Sequence, residues 1–150
     1  MSLLKGEEMS NPVKISEAAS LALHAAGILA GTGEGPWSAE TIADTLGVSR
    51  SHLVKVLQRM TKAGLVKSSR GPGGGYSLTR PPREITAREV YEIVEGPIDV
   101  STCAMAVPTC GWASCVLGDM FCRIGQEMRD RLEKVTIADF GVSVGESVGV

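Results

Sequence analysis

The chain has 150 residues, enough for one domain with its own core. Hydrophobic residues make up 43% and charged residues 21%, a balance that excludes an intrinsically disordered chain. The formal net charge of −2 conceals a segregation: Ser49 to Arg83 holds eight cations and no Asp or Glu, so this window carries about +8 and the rest of the chain about −10.

A basic block on an acidic chain is the electrostatic footprint of a polyanion partner. The low pI is no obstacle, because phosphates respond to the field within a Debye length. Met1 to Ser10 contains Lys5, Glu7 and Glu8 and lacks the apolar stretch of a secretory signal. The Ala/Leu-rich run Ala18 to Ala30 includes His24 and is too short and too weakly apolar to span a bilayer. These features predict a cytoplasmic protein with no membrane association. Thiols stay reduced there, so the four cysteines read as metal ligands or redox groups rather than a disulfide framework.

In chain order, residues 1–13 read as an irregular leader. Ser16 is the expected N-cap of a helix running to Ala30 and stopped by Gly31. His24 lies beside its apolar face and reads as a packed or half-exposed helix histidine. Thr32 to Trp37 reads as a loop. Ser38 caps a second helix with Ile42, Ala43 and Leu46 inward, ending at Gly47. A third helix follows the turn Leu46-Gly47-Val48-Ser49. Leu53, Val56, Leu57 and Met60 fall on one helical stripe, while Arg50, His52, Lys55, Arg59 and Lys62 lie mostly off it. Two helices joined by a Gly-containing turn, the second basic and exposed, describe a helix-turn-helix. A solvated amphipathic helix satisfies the same pattern. The surrounding elements distinguish the two.

Past Gly64, the segments Leu65 to Ser69 and Tyr76 to Thr79 read as strands around Arg70-Gly71-Pro72-Gly73-Gly74-Gly75, a hairpin directly after the helix-turn-helix and hence a wing. The loop lacks the Gly-Lys-Ser/Thr ending and the helix that a nucleotide-phosphate cradle requires. Its bare backbone at Gly73, Gly74 and Gly75, beside Arg70 and Tyr76, suits entry into a narrow minor groove. Thr86 and Glu89 predict a capping box for a helix from Ala87 to Glu95, which Gly96-Pro97 ends.

Cys103, Cys110, Cys115 and Cys122 are spaced C-x6-C-x4-C-x6-C. This is neither the paired spacing of structural zinc sites nor that of bacterial or plant-type ferredoxins. A loop rich in Gly, Pro and small residues can nonetheless wrap several thiolates around one centre. Leu117, Phe121, Ile124, Met128, Leu132 and Val135 then step close to a heptad seam. The seam predicts a dimerisation helix, and packing back on the domain is its rival. Cys122 falls within this helix, either as a small apolar residue or as a further ligand. Thr136 and Asp139 cap a last turn, and residues 141–150 read as a disordered tail. With two scattered histidines and no nucleotide or flavin fingerprint, an enzyme is not expected.

The run TIADTLGVSRSHLVKVLQRMTKAGLV, the wing RGPGGGY and three cysteines before a C-terminal helix resemble the IscR/NsrR-type family of winged-helix repressors over roughly residues 13–140. The resemblance implies a mainly α fold with a small β-wing: winged helix-turn-helix over 14–96, cysteine loop over 97–117, and dimerisation helix with a short cap over 118–140. It also implies a homodimer on palindromic promoter DNA. Ser49, Arg50, Ser51, His52, Lys55, Arg59 and Lys62 would face the major groove, and the wing, Arg70 to Gly75, the minor groove. Members with three cysteines bind a 2Fe–2S or 4Fe–4S iron–sulfur cluster and sense iron–sulfur status, nitric oxide or redox state, while others carry no cluster. Cys103, Cys110 and Cys115 carry over as ligands. The fourth does not: the histidine some members place three residues after the third cysteine is Gly118 here, and the acidic residue others supply from the first helix aligns with Ser20, one turn from Glu17. Cys122, Glu17 or a small exogenous ligand remain open, and zinc or a thiol–disulfide switch are the alternatives to a cluster.

Overall fold

The computed structural model describes residues 15–31, 35–100 and 115–141. The leader, Cys103, Cys110 and all but the first residue of the tail lie outside them. The order is α1 (Glu17–Ala30), α2 (Ala39–Leu46), α3 (Arg50–Lys62), β1 (Val66–Ser69), β2 (Gly75–Leu78), a 3₁₀ turn (Pro82–Glu84), α4 (Ala87–Glu95), α5 (Gly118–Lys134) and a closing 3₁₀ turn (Ile137–Phe140). The mainly helical architecture with a small antiparallel wing is the one expected.

α1 is the axis of the core. Ala19, Leu21, Ala22, Leu23, Ala25, Ala26, Ile28 and Leu29 are all buried, because α1 is contacted by α2, α3, α4, β2 and the closing turn. The alanines let those neighbours approach closely. Ser16 caps it as expected, accepting the Ala19 N–H at 3.0 Å, and the same hydroxyl donates to the Glu95 carboxylate at the far end of α4. A cap of this kind stabilises by about 1 kcal/mol. Ile42 from α2, Leu53, Leu57 and Met60 from α3, and Ile85 and Val90 from around α4 complete the core with no exposure. Each such side chain contributes about 1.5–3 kcal/mol by leaving water.

The helix-turn-helix boundaries follow from their caps. Ser38 Oγ accepts the Thr41 N–H at 3.0 Å. Gly47 sits at φ 66°, a left-handed turn that costs any other residue about 1 kcal/mol or more. Ser49 then starts α3, accepting the His52 N–H at 3.3 Å.

Three expectations change. Trp37, read as loop, forms an antiparallel bridge with Tyr76, the two exchanging N–H···O bonds of 2.9 and 2.8 Å. It supplies a third edge to the wing's sheet. The Thr86 cap is one-sided: its hydroxyl accepts the Glu89 N–H at 3.1 Å, but the Glu89 carboxylate is drawn to the Arg80 guanidinium, a stronger donor than a backbone amide. The Thr136/Asp139 pair forms the full reciprocal box. The seam of α5 divides. Leu132 and Val135 pack on the domain core, while Leu117 and Ile124 are exposed and Phe121 and Met128 half-buried. The C-terminal third of the seam thus belongs to this chain's own core, because the Thr86–Thr136 bridge pulls the chain after α5 back beside α4.

Candidate nucleic-acid interface

α3 buries Leu53, Val56, Leu57 and Met60, so its opposite face must look outward. At 100° per residue, that face is Ser51, Lys55, Gln58 and Lys62, and all four are exposed. Gln58 was not among the residues singled out by charge. Its amide presents a donor and an acceptor on separate atoms side by side, the bidentate pattern that adenine recognition uses. Only the three-dimensional row marks it, since the charge census has no signal for a neutral residue.

The first turn of α3 contains no acidic residue, so its N-terminal amide dipoles keep their attraction for phosphate. Ser49, Arg50 and Ser51 stand there, exposed. His52 and Arg59 lie instead on the flank that meets the rest of the domain. His52 Nδ1 is 3.6 Å from Glu17 Oε1 on α1. The Arg59 guanidinium donates to the Val94 carbonyl of α4 at 3.2 Å.

In the wing, β1 and β2 pair in the register Val66↔Leu78, Lys67↔Ser77, Ser68↔Tyr76 and Ser69↔Gly75. Arg70 and Gly73 are exposed at the tip, but Gly74, Gly75 and Tyr76 are drawn inward. The Gly74 N–H donates to the Gly71 carbonyl at 2.9 Å. A Cβ on Gly75 would stand 2.4 Å from the Trp37 carbonyl oxygen. Glycine at this position therefore serves close packing against Trp37, and Tyr76 packs on the core. Of the basic block, Arg80 is held by Glu89, while Arg50, Lys55, Lys62, Lys67, Arg70 and Arg83 are exposed and have no acidic partner within 4 Å among the described residues. α2 presents Glu40 and Asp44 outward, so attraction for phosphate rests on α3 and the wing.

The segment leading to the cysteines is gripped from two sides. The Ile98 N–H donates to Glu92 at 3.0 Å and the Ile98 carbonyl accepts from Arg129 of α5 at 3.0 Å. Arg88 joins Glu92 at 3.1 Å and Glu133 at 3.5 Å. The Ile98 amide, with Arg88 beside it, holds the Glu92 carboxyl below the usual carboxylate range. Cys115 is exposed just ahead of α5 and Cys122 is half-buried within it. Glu17 is 82% exposed at its side chain. No group of three or more potential metal-ligating side chains converges among the described residues, and no helix there is long and apolar enough to cross a membrane.

Comparison with known proteins agrees with this geometry. Residues 15–142 match the family model described as Rrf2, iron-dependent transcriptional regulator. The chain is 36% identical over 115 residues to the HTH-type transcriptional regulator IscR of Xenorhabdus nematophila, covering 77% of this chain and 66% of that protein. Among solved structures, the global cysteine regulator CymR of B. subtilis superposes with a TM-score of 0.71 at 31% identity, covering 86% of this chain and 96% of that one. IscR of T. potens does so with a TM-score of 0.70 at 29% identity, covering 85% of each. These relatives are named transcriptional regulators, not enzymes. A cationic helix set outward on a three-edged wing scaffold, in a chain matched along almost its whole described length, makes this protein a member of the Rrf2 family of winged-helix DNA-binding transcriptional regulators.

Proposed function

We propose that the chain acts in the cytoplasm as a homodimeric repressor on palindromic promoter DNA, and that an iron–sulfur cluster held by Cys103, Cys110 and Cys115 controls its affinity. The observation that carries the DNA-binding part is the outward row Ser51, Lys55, Gln58 and Lys62, opposite a fully buried stripe. A helix so placed enters a major groove while the wing tip at Arg70 reaches the neighbouring minor groove.

A second copy supplies the other half-site. The uncovered part of α5 supports this: Ile124 is 44% exposed, and with Met128 it lines an apolar cleft of about 500 Å³ edged by Arg123, Glu127 and Arg131. The pairs Arg123–Asp119 at 3.0 Å and Arg131–Glu127 at 2.8 Å are i,i+4 contacts within α5 itself, and they leave the apolar strip beside them uncovered.

One of the three proposed thiolates lies within the described residues and supports the cluster reading. Cys115 is exposed where α5 begins, and thiolates with one nitrogen or oxygen donor suit iron–sulfur chemistry. When bound, the group supplies a centre that responds to oxidants, nitric oxide or iron supply. The residues of this chain convert that response into geometry: Glu92 and Arg129 hold Ile98, five residues before Cys103, and α4 is tied to α3 through Arg59. Promoter binding is read by gel shift across a salt series with metal-free and anaerobically reconstituted protein. Equal affinities overturn the switch, and no salt-dependent binding in either form overturns the DNA interface.

The likeness to a structure described as a global cysteine regulator favours a second reading, a cluster-free regulator working through its thiols or a protein partner. Iron and sulfide analysis after anaerobic purification separates the two.

A further inference from the structure

We infer that Val54 on α3 is a specificity-determining residue whose methyl groups recognise the 5-methyl group of a thymine. The inference rests on the DNA-binding reading above and deepens it, adding an apolar contact to the polar row.

The apolar residues of α3 are Leu53, Val54, Val56, Leu57 and Met60. All but Val54 are buried, and Val54 is half-buried. Part of it packs against the core, and the remainder is left to solvent. At 100° per residue, Val54 lies about 60° from Ser51 and about 40° from Gln58 around the helix. It is on the side of the outward row away from His52 and Arg59, whose side chains are engaged by α1 and α4. Its surface neighbours one turn away are therefore Arg50, Ser51 and Gln58, all exposed. These three supply hydrogen-bonding groups, and Val54 is the apolar group among them. It also stands in the N-terminal half of α3, the part of a recognition helix that meets base edges.

The major groove offers an apolar group of its own, the 5-methyl of thymine, whereas cytosine presents an N4 amino donor there and no methyl. A valine cannot accept from that amino group, so contact with Val54 favours thymine and disfavours cytosine. Stiffness adds to the effect. Valine in a helix has one strongly preferred χ1 rotamer, so its methyls are placed before DNA arrives and little side-chain freedom is lost on contact. Val54 and Gln58 together suit a half-site containing A·T pairs, the amide for adenine and the methyls for thymine.

The test uses a duplex selected by the full chain from a random-sequence pool, with each thymine then replaced in turn by deoxyuridine. The exchange removes the 5-methyl group and leaves base pairing and O4 intact. Affinities are measured by fluorescence anisotropy at a fixed salt concentration. For the wild-type chain, replacing the contacted thymine should weaken binding about fourfold, the worth of one methyl-sized group leaving water. Gln58→Ala should keep that ratio between the two duplexes. Val54→Ala should bind the parent duplex more weakly and lose nothing further with deoxyuridine at that position. Because Val54 also packs on the core, circular dichroism checks the fold of Val54→Ala. A general loss of stability lowers affinity for both duplexes alike and leaves their ratio at the wild-type value. A ratio unchanged in Val54→Ala, or a wild-type chain indifferent to every thymine methyl, overturns the assignment of Val54 and leaves the DNA-binding reading in place. Failure to select any duplex with salt-dependent affinity overturns that reading and this inference with it.

Discussion

The Arg59 guanidinium on α3 donates to the Val94 carbonyl in the last turn of α4, 3.2 Å away. One contact thus joins the helix proposed to meet DNA to the helix that precedes the cysteine segment. Arg59→Ala should lose both a structural bond and a cation. A net stability loss of about 0.5–1.5 kcal/mol is expected, the ordinary worth of one such hydrogen bond. Chemical denaturation measures it, and Lys55→Ala, at a residue with no such partner among the described residues, should show almost none.

The outward row of α3 separates two kinds of DNA contact. Lys55→Ala should weaken binding to all sequences alike and lower the salt slope by about 1, as for the loss of one phosphate contact. Gln58→Ala should leave the slope unchanged and flatten the preference at one base position, by about 1–3 kcal/mol. Affinities over a salt series, measured on the preferred site and on single-base variants, distinguish the two. A uniform loss in Gln58→Ala would show that the amide does not read a base.

Gly75 lies against the backbone of Trp37 so closely that a Cβ would stand 2.4 Å from the carbonyl oxygen and 3.0 Å from the Ser38 nitrogen. Backbone cannot yield as a flexible side chain can. Gly75→Ala should therefore cost about 1–3 kcal/mol and break the Trp37–Tyr76 bridge, loosening the wing and weakening DNA binding. Tryptophan fluorescence during denaturation reports both effects.

Glu92 carries a pH dependence whose sign is fixed. Its carboxyl is held below the usual range chiefly by the Ile98 amide and next by Arg88. A depressed pKa means that the carboxylate's contribution is fully present above the unfolded value of about 4.3 and is lost as pH falls through the lower, folded value. Stability of the wild-type chain should thus fall more steeply than that of Glu92→Gln on acidification below about pH 4.3. At neutral pH, Glu92→Gln should be less stable by about 1 kcal/mol. Denaturant titrations from pH 7 down to pH 3 test this, and parallel curves would remove Glu92 from the account.

The apolar strip on α5 gives the proposed dimer a direct test. Met128→Glu places a charge in the cleft formed with Ile124. It should convert a dimer to a folded monomer in analytical ultracentrifugation and reduce promoter affinity by an order of magnitude or more, since one half-site then binds alone. An unchanged sedimentation coefficient would place the interface elsewhere.

The sequence by itself determined the order and boundaries of the helices, the outward cations of α3 and the hairpin. These follow from local physics: Ser16, Ser38, Ser49 and Thr86 accept amides three residues ahead, Gly47 adopts a left-handed turn, and the Leu53–Met60 stripe has the helical period. Tertiary structure alone decided which side chains were already engaged. Glu89 faces a choice between its own helix cap and Arg80, and Arg80 comes from a separate turn. Leu132 and Leu117 occupy the same apolar periodicity, yet one is packed on the core and the other is exposed, because the chain beyond α5 folds back on Thr86. Trp37 becomes a strand edge only when Tyr76 arrives beside it. Periodicity records which face of an element is apolar, whereas the partner that covers that face, or claims a polar tip, is set by long-range packing that no local window contains.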